Sequence, residues 1–245
     1  MPGSESRIQD LGRGLDGLEP LDIKSVSLTQ VAYDAVRRAI VSKALAPGTV
    51  VSESSLASRL AVSKTPVREA LVRLQMVGLV EPDGARGLRI VLPSEASIRE
   101  AYEVRAVLEA GLCRQAAERS DEFAVEEIMM AARRSLESAD REDLAGFKQW
   151  DRRFHQAIAD AAGNSRLAAL TDDARALASV LRERDVPEVQ DAIRCGHQHL
   201  AIAEAVANHG GAEAYAASER HVEDVKEMVL AAFKQAPRHR RGGAQ

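Results

Sequence analysis

Apolar residues recur at three- and four-residue spacing along most of this chain, and only two short apolar runs break that rhythm. Ala32, Ala35, Val36, Ala39 and Ile40 form the first stripe. Ser27-Leu-Thr-Gln30 precedes it in capping-box spacing, and Pro47-Gly48 ends the segment. A second helix starts from an N-cap at Ser52 and runs to about Leu60. A third is capped by Ser63, holds Pro66 in its first turn, and sets Val67, Ala70, Leu71, Leu74 and Gly78 on one face. Leu79-Val80-Glu81 and Leu88-Arg89-Ile90-Val91 are the two strand signals, joined through the Asp83-Gly84 turn. Beyond Leu92-Pro93-Ser94 the pattern is helical throughout, near 95–119, 122–138, 141–162, 165–184, 187–208 and 211–234. Gly163-Asn164, Val186-Pro187 and Gly210-Gly211 mark three of the breaks. Short connections between long helices predict an antiparallel bundle. The expected fold is mainly α: three helices and a small β-hairpin, then an all-α antiparallel helical bundle.

These patterns divide the chain into a polar, flexible arm (1–25), a compact first domain (26–92), a bundle (93–234) and a disordered tail (235–245). Aromatic residues make up only 3% of the chain, which favours closely packed helices over a β-sandwich. No apolar run approaches the roughly 18 residues of a membrane span. Met1 to Asp22 has no apolar signal-peptide core, and Cys113 and Cys195 form no disulfide framework, so a cytoplasmic protein is expected.

Charge separates the two domains. From Lys24 to Ile90 there are ten Lys/Arg against five Asp/Glu; from Val91 onward there are 21 against 27. A basic head on an acidic body suits a nucleic-acid reader joined to a part that does not bind it. Lys64, Thr65 and Arg68 lie off the apolar face of the third helix, near its N-terminus. A helix-turn-helix presents its base-reading side chains there. An ordinary αα-hairpin with a solvated basic face has the same local pattern. The hairpin that follows would form a wing, with Arg86 and Arg89 flanking Gly87 within reach of phosphates.

The run Val62-Ser-Lys-Thr-Pro-Val-Arg-Glu-Ala-Leu71, followed by Gly78-Leu-Val80 and Gly84-Ala-Arg-Gly87, closely resembles the winged helix of GntR-type bacterial transcriptional regulators. The resemblance implies operator contacts from Ser63, Lys64, Thr65, Arg68 and Gly87, with Arg86 beside them in the wing. Three positions depart from the family pattern: Lys64 and Ser54 stand where Arg is usual, and Ala61 where Gly is frequent. Lysine cannot form the fixed bidentate fork that reads guanine, so a different operator sequence is expected.

In the bundle, polar side chains interrupt apolar stripes. Asp151 shares a face with Phe147, Phe154 and Ile158, and His155 follows it by one turn. His199 shares a face with Ile202 and Val206, His221 with Val225, Met228 and Val229, and Arg105 with Ala101, Leu108 and Leu112. A carboxylate in an apolar stripe is costly unless it is paired or bound to a metal. One Asp and three His suit a first-row divalent ion, but Asp151 paired with Arg105 and ordinary core histidines satisfy the spacing equally. His197 and His209 point elsewhere. Glu103 and Glu109 are placed off the face that carries Arg105.

Asp151-Arg-Arg-Phe-His155 through Gly163-Asn164, with His199, His221 and Glu103-Val-Arg-Ala-Val-Leu-Glu109, resembles the FCD effector domain of the FadR subfamily of these regulators. That resemblance implies metal ligands at Asp151, His155, His199 and His221, and a donor set of one Asp and three His makes zinc the expected ion, or else manganese or nickel. It also implies effector contacts at Arg105 and Asn164. The expected protein is a homodimeric, ligand-responsive repressor that binds a palindromic operator and responds to a small organic acid, and is not an enzyme. A metal-sensing regulator, and a helical metallohydrolase fused to a DNA-binding domain, are the alternatives. Against the hydrolase, no carboxylate is clearly placed as general base and no HExxH occurs.

Overall fold

The computed structural model describes residues 27–84, 87–182 and 187–236. The predicted arm, Arg86 and the tail beyond Ala236 lie outside the described residues.

The first domain is built from α1 (Leu28–Val41), β1 (Val50–Val51), α2 (Glu53–Leu60), α3 (Lys64–Met76), β2 (Val80–Pro82) and β3 (Leu88–Ile90). Its antiparallel sheet has the order β1-β3-β2, with Val50 opposite Arg89 and Val80 opposite Ile90. The hairpin is therefore joined by a third strand, β1, which is only two residues long and has no alternation to betray it. Val36, Ile40, Val67, Leu71, Leu74, Leu79 and Ile90 make the core.

Local chemistry sets the helix ends. Ser52 accepts from the Ser55 amide while Ser55 accepts from the Ser52 amide, a reciprocal cap that starts α2. Ala61 ends α2 in the left-handed region, at φ 54° and ψ 41°. Gly78 is not on the face of α3 as expected; it follows the helix at φ +82°, where Leu79 N–H reaches back to Leu74 C=O in a Schellman-type stop. The capping box expected at Ser27 does not form. Ser27 makes no side-chain cap bond, and the Gln30 amide instead donates to Asp34 and accepts from Arg73. Ser63 occupies the N-cap position of α3, also without a cap bond.

The bundle consists of α4 (Glu95–Arg119), α5 (Glu122–Asp140), α6 (Leu144–Ala162), α7 (Ser165–Leu181), α8 (Val189–Ala207) and α9 (Gly211–Gln235). Ser94, Asp121, Asp143 and Asn164 cap the first four of these with side-chain oxygens. Phe154, Ile128, Ile202 and Val206 centre one half of the core; Ile98, Tyr102, Leu181 and Val222 centre the other.

Helix α7 ties the domains together. Val180 is fully buried in the first domain's core, and Leu177 packs beside it. Burying a valine side chain stabilises by roughly 1.5–3 kcal/mol. Around that contact Arg37 pairs with Asp172 at 2.6 Å, Tyr33 donates to Asp173, and Lys43 donates to the Arg182 carbonyl.

Candidate metal centre and DNA-reading surface

Three histidines from three helices meet inside the bundle. His155 on α6, His199 on α8 and His221 on α9 each offer one ring nitrogen, and these atoms lie within 4.8 Å of one another. Asp151, one turn before His155, places Oδ1 3.6 Å from Nε2 of both His155 and His199. That is too long for hydrogen bonds, yet it suits four groups arranged around a common centre.

The far side of each ring is already engaged. Ser135 Oγ donates to the Ala132 carbonyl, so its lone pair faces His199 Nδ1 at 3.1 Å. His199 Nδ1 therefore carries the proton, and Nε2 keeps a free lone pair. That Nε2 is buried with no hydrogen-bond partner. The Gln198 amide donates to Asp224, which turns its oxygen toward His221 Nδ1 at 2.8 Å and fixes that tautomer in the same way. His155 Nδ1 lies 3.3 Å from Glu109 Oε2. Orientation of ligating imidazoles by acceptors on their outer nitrogens is a general property of histidine metal sites.

Electrostatics favours neutral rings. Burial pushes the His199 pKa down to about 3, with the neighbouring His155 and Arg175 adding to the shift against Asp151. Burial likewise lowers His155, helped by Arg175, and lowers His221 well below the ordinary imidazole range. Burial alone would raise Asp151. Its contact with His155 and the charge of Arg175 outweigh that and hold its carboxyl low. Three neutral imidazoles and one carboxylate are ready to accept a divalent ion without losing protons. A buried lone pair on His199 Nε2 with nothing to bond is the observation that fits a metal best, because buried polar atoms are normally satisfied.

Arg105 points into the same region but is held by Glu109, not by Asp151. Its Nε donates to Glu109 Oε1 at 2.7 Å, and both side chains are buried. Burial would raise Glu109, but Arg105, Arg175 and His155 overcome it and keep the carboxylate ionised. The expectation that Glu109 lies off this face is corrected: four residues after Arg105, it stacks one turn above it. Arg175, from α7, reaches both Glu109 at 3.2 Å and Asp151 at 3.5 Å. Nothing in the local sequence singles out Arg175 or Ser135.

A cavity of about 1080 Å³ opens beside this cluster, lined by Arg105, Asp151, His155, Arg175 and His221 from the bundle and by Arg37 and Arg38 of α1 with Ser42 just after it. Asn164 is not on its wall. Asn164 Oδ1 accepts from the Leu167 amide as the cap of α7, and its nitrogen donates to Gln115. His209 bonds the Ala117 carbonyl, and His197 lines a separate surface groove.

On the first domain, Ser63, Lys64 and Thr65 are exposed at the start of α3. Arg68 follows one turn later, its guanidinium bound to both carboxylate oxygens of Glu53 at 2.9 Å. Gly87 has φ +119°, and a Cβ there would stand 2.9 Å from the Val51 carbonyl, so the strand pairing itself requires glycine. Arg89 pairs with Glu81 and Asp83 across the hairpin and is not a free cation at the wing tip.

A winged helix joined to a helical domain of this kind defines a helix-turn-helix transcription regulator. Residues 28–90 match "Bacterial regulatory proteins, gntR family", and residues 100–224 match the FCD domain. The HTH-type transcriptional repressor RspR of Escherichia coli K12 is 27% identical over 202 residues, 82% of this chain and 89% of that protein. The HTH-type transcriptional regulator LutR of Bacillus subtilis is 30% identical over 212 residues, 78% of this chain and 96% of its own length. The fold matches E. coli McbR/YncC with a TM-score of 0.68 at 18% identity, covering 85% of this chain and all of that one. The chain belongs to the GntR family, with the C-terminal FCD domain of its FadR-like members. These relatives are transcriptional regulators, not enzymes, and the family's helix-turn-helix implies DNA binding. Among the described residues no helix is long and apolar enough to cross a membrane.

Proposed function

We propose that this chain is a cytoplasmic, ligand-responsive repressor that binds a palindromic operator as a homodimer and releases it when a small organic acid enters the bundle. The metal would be held by Asp151, His155, His199 and His221, zinc being the best match to three imidazoles and one carboxylate, with manganese or nickel as substitutes. Once bound, the ion supplies a Lewis-acidic position for carboxylate oxygens. Arg105 and Arg175 then supply charge-assisted hydrogen bonds from beside it, with Glu109 holding both guanidinium groups in place. Asn164 takes no part, since it is committed to capping α7 away from the cavity.

On the first domain, Ser63, Lys64, Thr65 and Arg68 would face the major groove, with Arg86 and Gly87 in the wing near the backbone. A two-fold operator matches a two-fold dimer. Helix α7 links site to head: Arg175 contacts Asp151, and Asp172, one turn earlier, holds Arg37 of α1. An acid that draws Arg175 toward itself favours one pose of α7, and hence of the head, in proportion to its preference for that pose.

The unpartnered Nε2 of His199 carries this reading. Elemental analysis of purified protein checks it. About one divalent ion per chain is expected, lost in His199→Ala/His221→Ala with operator binding retained. Undiminished metal in that variant would reject the ligands. Operator affinity that follows zinc concentration without any organic acid would favour the metal-sensing alternative.

A further inference from the structure

We infer that the effector carries two anionic groups at opposite ends and that the second is held by cations from both domains. This rests on the proposed acid-binding role of the cavity and specifies what kind of acid fits it.

Eight Lys/Arg side chains line the cavity against six Asp/Glu. Five of the eight are already satisfied. Arg37 pairs with Asp172, Arg194 with Asp191, and Arg105 and Arg175 with Glu109, while Arg182 donates to the Tyr102 hydroxyl. The other three are Arg38, Lys148 and Arg152. Among the described residues they have no ion pair or side-chain hydrogen bond. Lys148 and Arg152 stand one turn apart on α6, so they share a side of that helix. Lys148 precedes Asp151 by three residues, and Arg152 precedes His155 by three. Lys148 therefore sits just under one helical turn before Asp151, roughly 4.5 Å along the axis, and Arg152 lies between the two ligands of this helix, next to Asp151. Arg38 approaches the same cavity from α1 of the DNA-reading domain, beside Arg37 and its anchor on α7.

Eight cations against six carboxylates leave the cavity lining net positive, and a monocarboxylate at the metal would not engage the three uncommitted ones. An α,ω-diacid would place one carboxylate at the metal with Arg105 and the other among Arg38, Lys148 and Arg152. It would thereby bridge the bundle to the DNA-reading domain directly.

Titration calorimetry on full-length, zinc-loaded protein tests this, with succinate, glutarate and adipate set against butyrate, valerate and hexanoate of matching length. At least one diacid should bind about tenfold or more tighter than its matched monoacid. Arg38→Gln with Lys148→Gln and Arg152→Gln should abolish that advantage and leave monoacid affinity unchanged. Equal affinities across the pairs, or an advantage that survives in the triple variant, would overturn the inference while leaving the proposed acid site standing. Failure of every acid to bind zinc-loaded protein would overturn both.

Discussion

Ser135 Oγ and His199 Nδ1 lie 3.1 Å apart, fully buried between α5 and α8, and this one contact decides which nitrogen of His199 faces the candidate metal centre. The Ser135 hydroxyl has a single proton, and the Ala132 carbonyl takes it. Ser135→Ala removes the acceptor that holds the His199 proton on Nδ1. Outer partners of this kind are typically worth about 10–100-fold in metal affinity. The variant should therefore bind zinc some 10–100-fold more weakly in a competition titration against a chromogenic chelator, with operator affinity in the apo form unchanged. Zinc affinity equal to the unsubstituted protein would show that the serine does not orient the ligand.

Gly196 makes that contact possible. A Cβ at this position would stand 2.8 Å from the Leu136 Cα, next to Ser135. The glycine lets α8 come close enough to α5 for His199, one turn on, to reach the serine. Gly196→Ala must push backbone against backbone, an overpacking cost of about 1–3 kcal/mol. Urea unfolding should show that loss, and zinc content should fall with it. A variant of full stability would mean that the helices part without cost.

Much of this site was legible in the sequence. Asp151, His155, His199 and His221 stood out because polar groups in apolar stripes are expensive, and periodicity alone placed them toward the interior. What surrounds them was not legible. Ser135 and Gly196 are small residues whose role depends on how near two helices approach, which spacing within one helix does not report. Arg175 lies on a helix whose own face gives no reason to point it at Asp151. Glu109 was legible too: it follows Arg105 by four, so the helical period itself puts both on the buried stripe of Ile98, Tyr102, Arg105, Glu109 and Leu112. The strand β1 escaped because two residues carry no period. The wing and the helix ends were clear wherever glycine, proline or serine marked them.

Ala61 closes α2 at φ 54°, a conformation that an L-residue with a Cβ adopts at a cost of roughly 1–2 kcal/mol. Glycine avoids that cost but loses more entropy on folding, which offsets part of the gain. Ala61→Gly should therefore stabilise the protein by about 0.5–1 kcal/mol, read as a higher urea midpoint with an unchanged slope. A lower midpoint would indicate that the turn relaxes without strain.

Arg68 is bound in the free protein by both oxygens of Glu53, the arginine exposed and the glutamate half-exposed. An exposed pair of this kind contributes little to folding, so neither partner is there chiefly for stability. To read a base as proposed, the Arg68 fork must leave Glu53 or share it, and until then the pair holds the guanidinium near the N-terminus of α3. Arg68→Ala should weaken operator binding about ten- to a hundredfold in a gel shift and leave the oligomeric state and melting temperature unaltered. Arg68→Lys should recover only part of that loss, because an ammonium cannot donate two parallel hydrogen bonds to one base edge. Full recovery by lysine would mean that the contact is to phosphate and carries no sequence information. Unchanged affinity in the alanine variant would remove Arg68 from the recognition surface altogether.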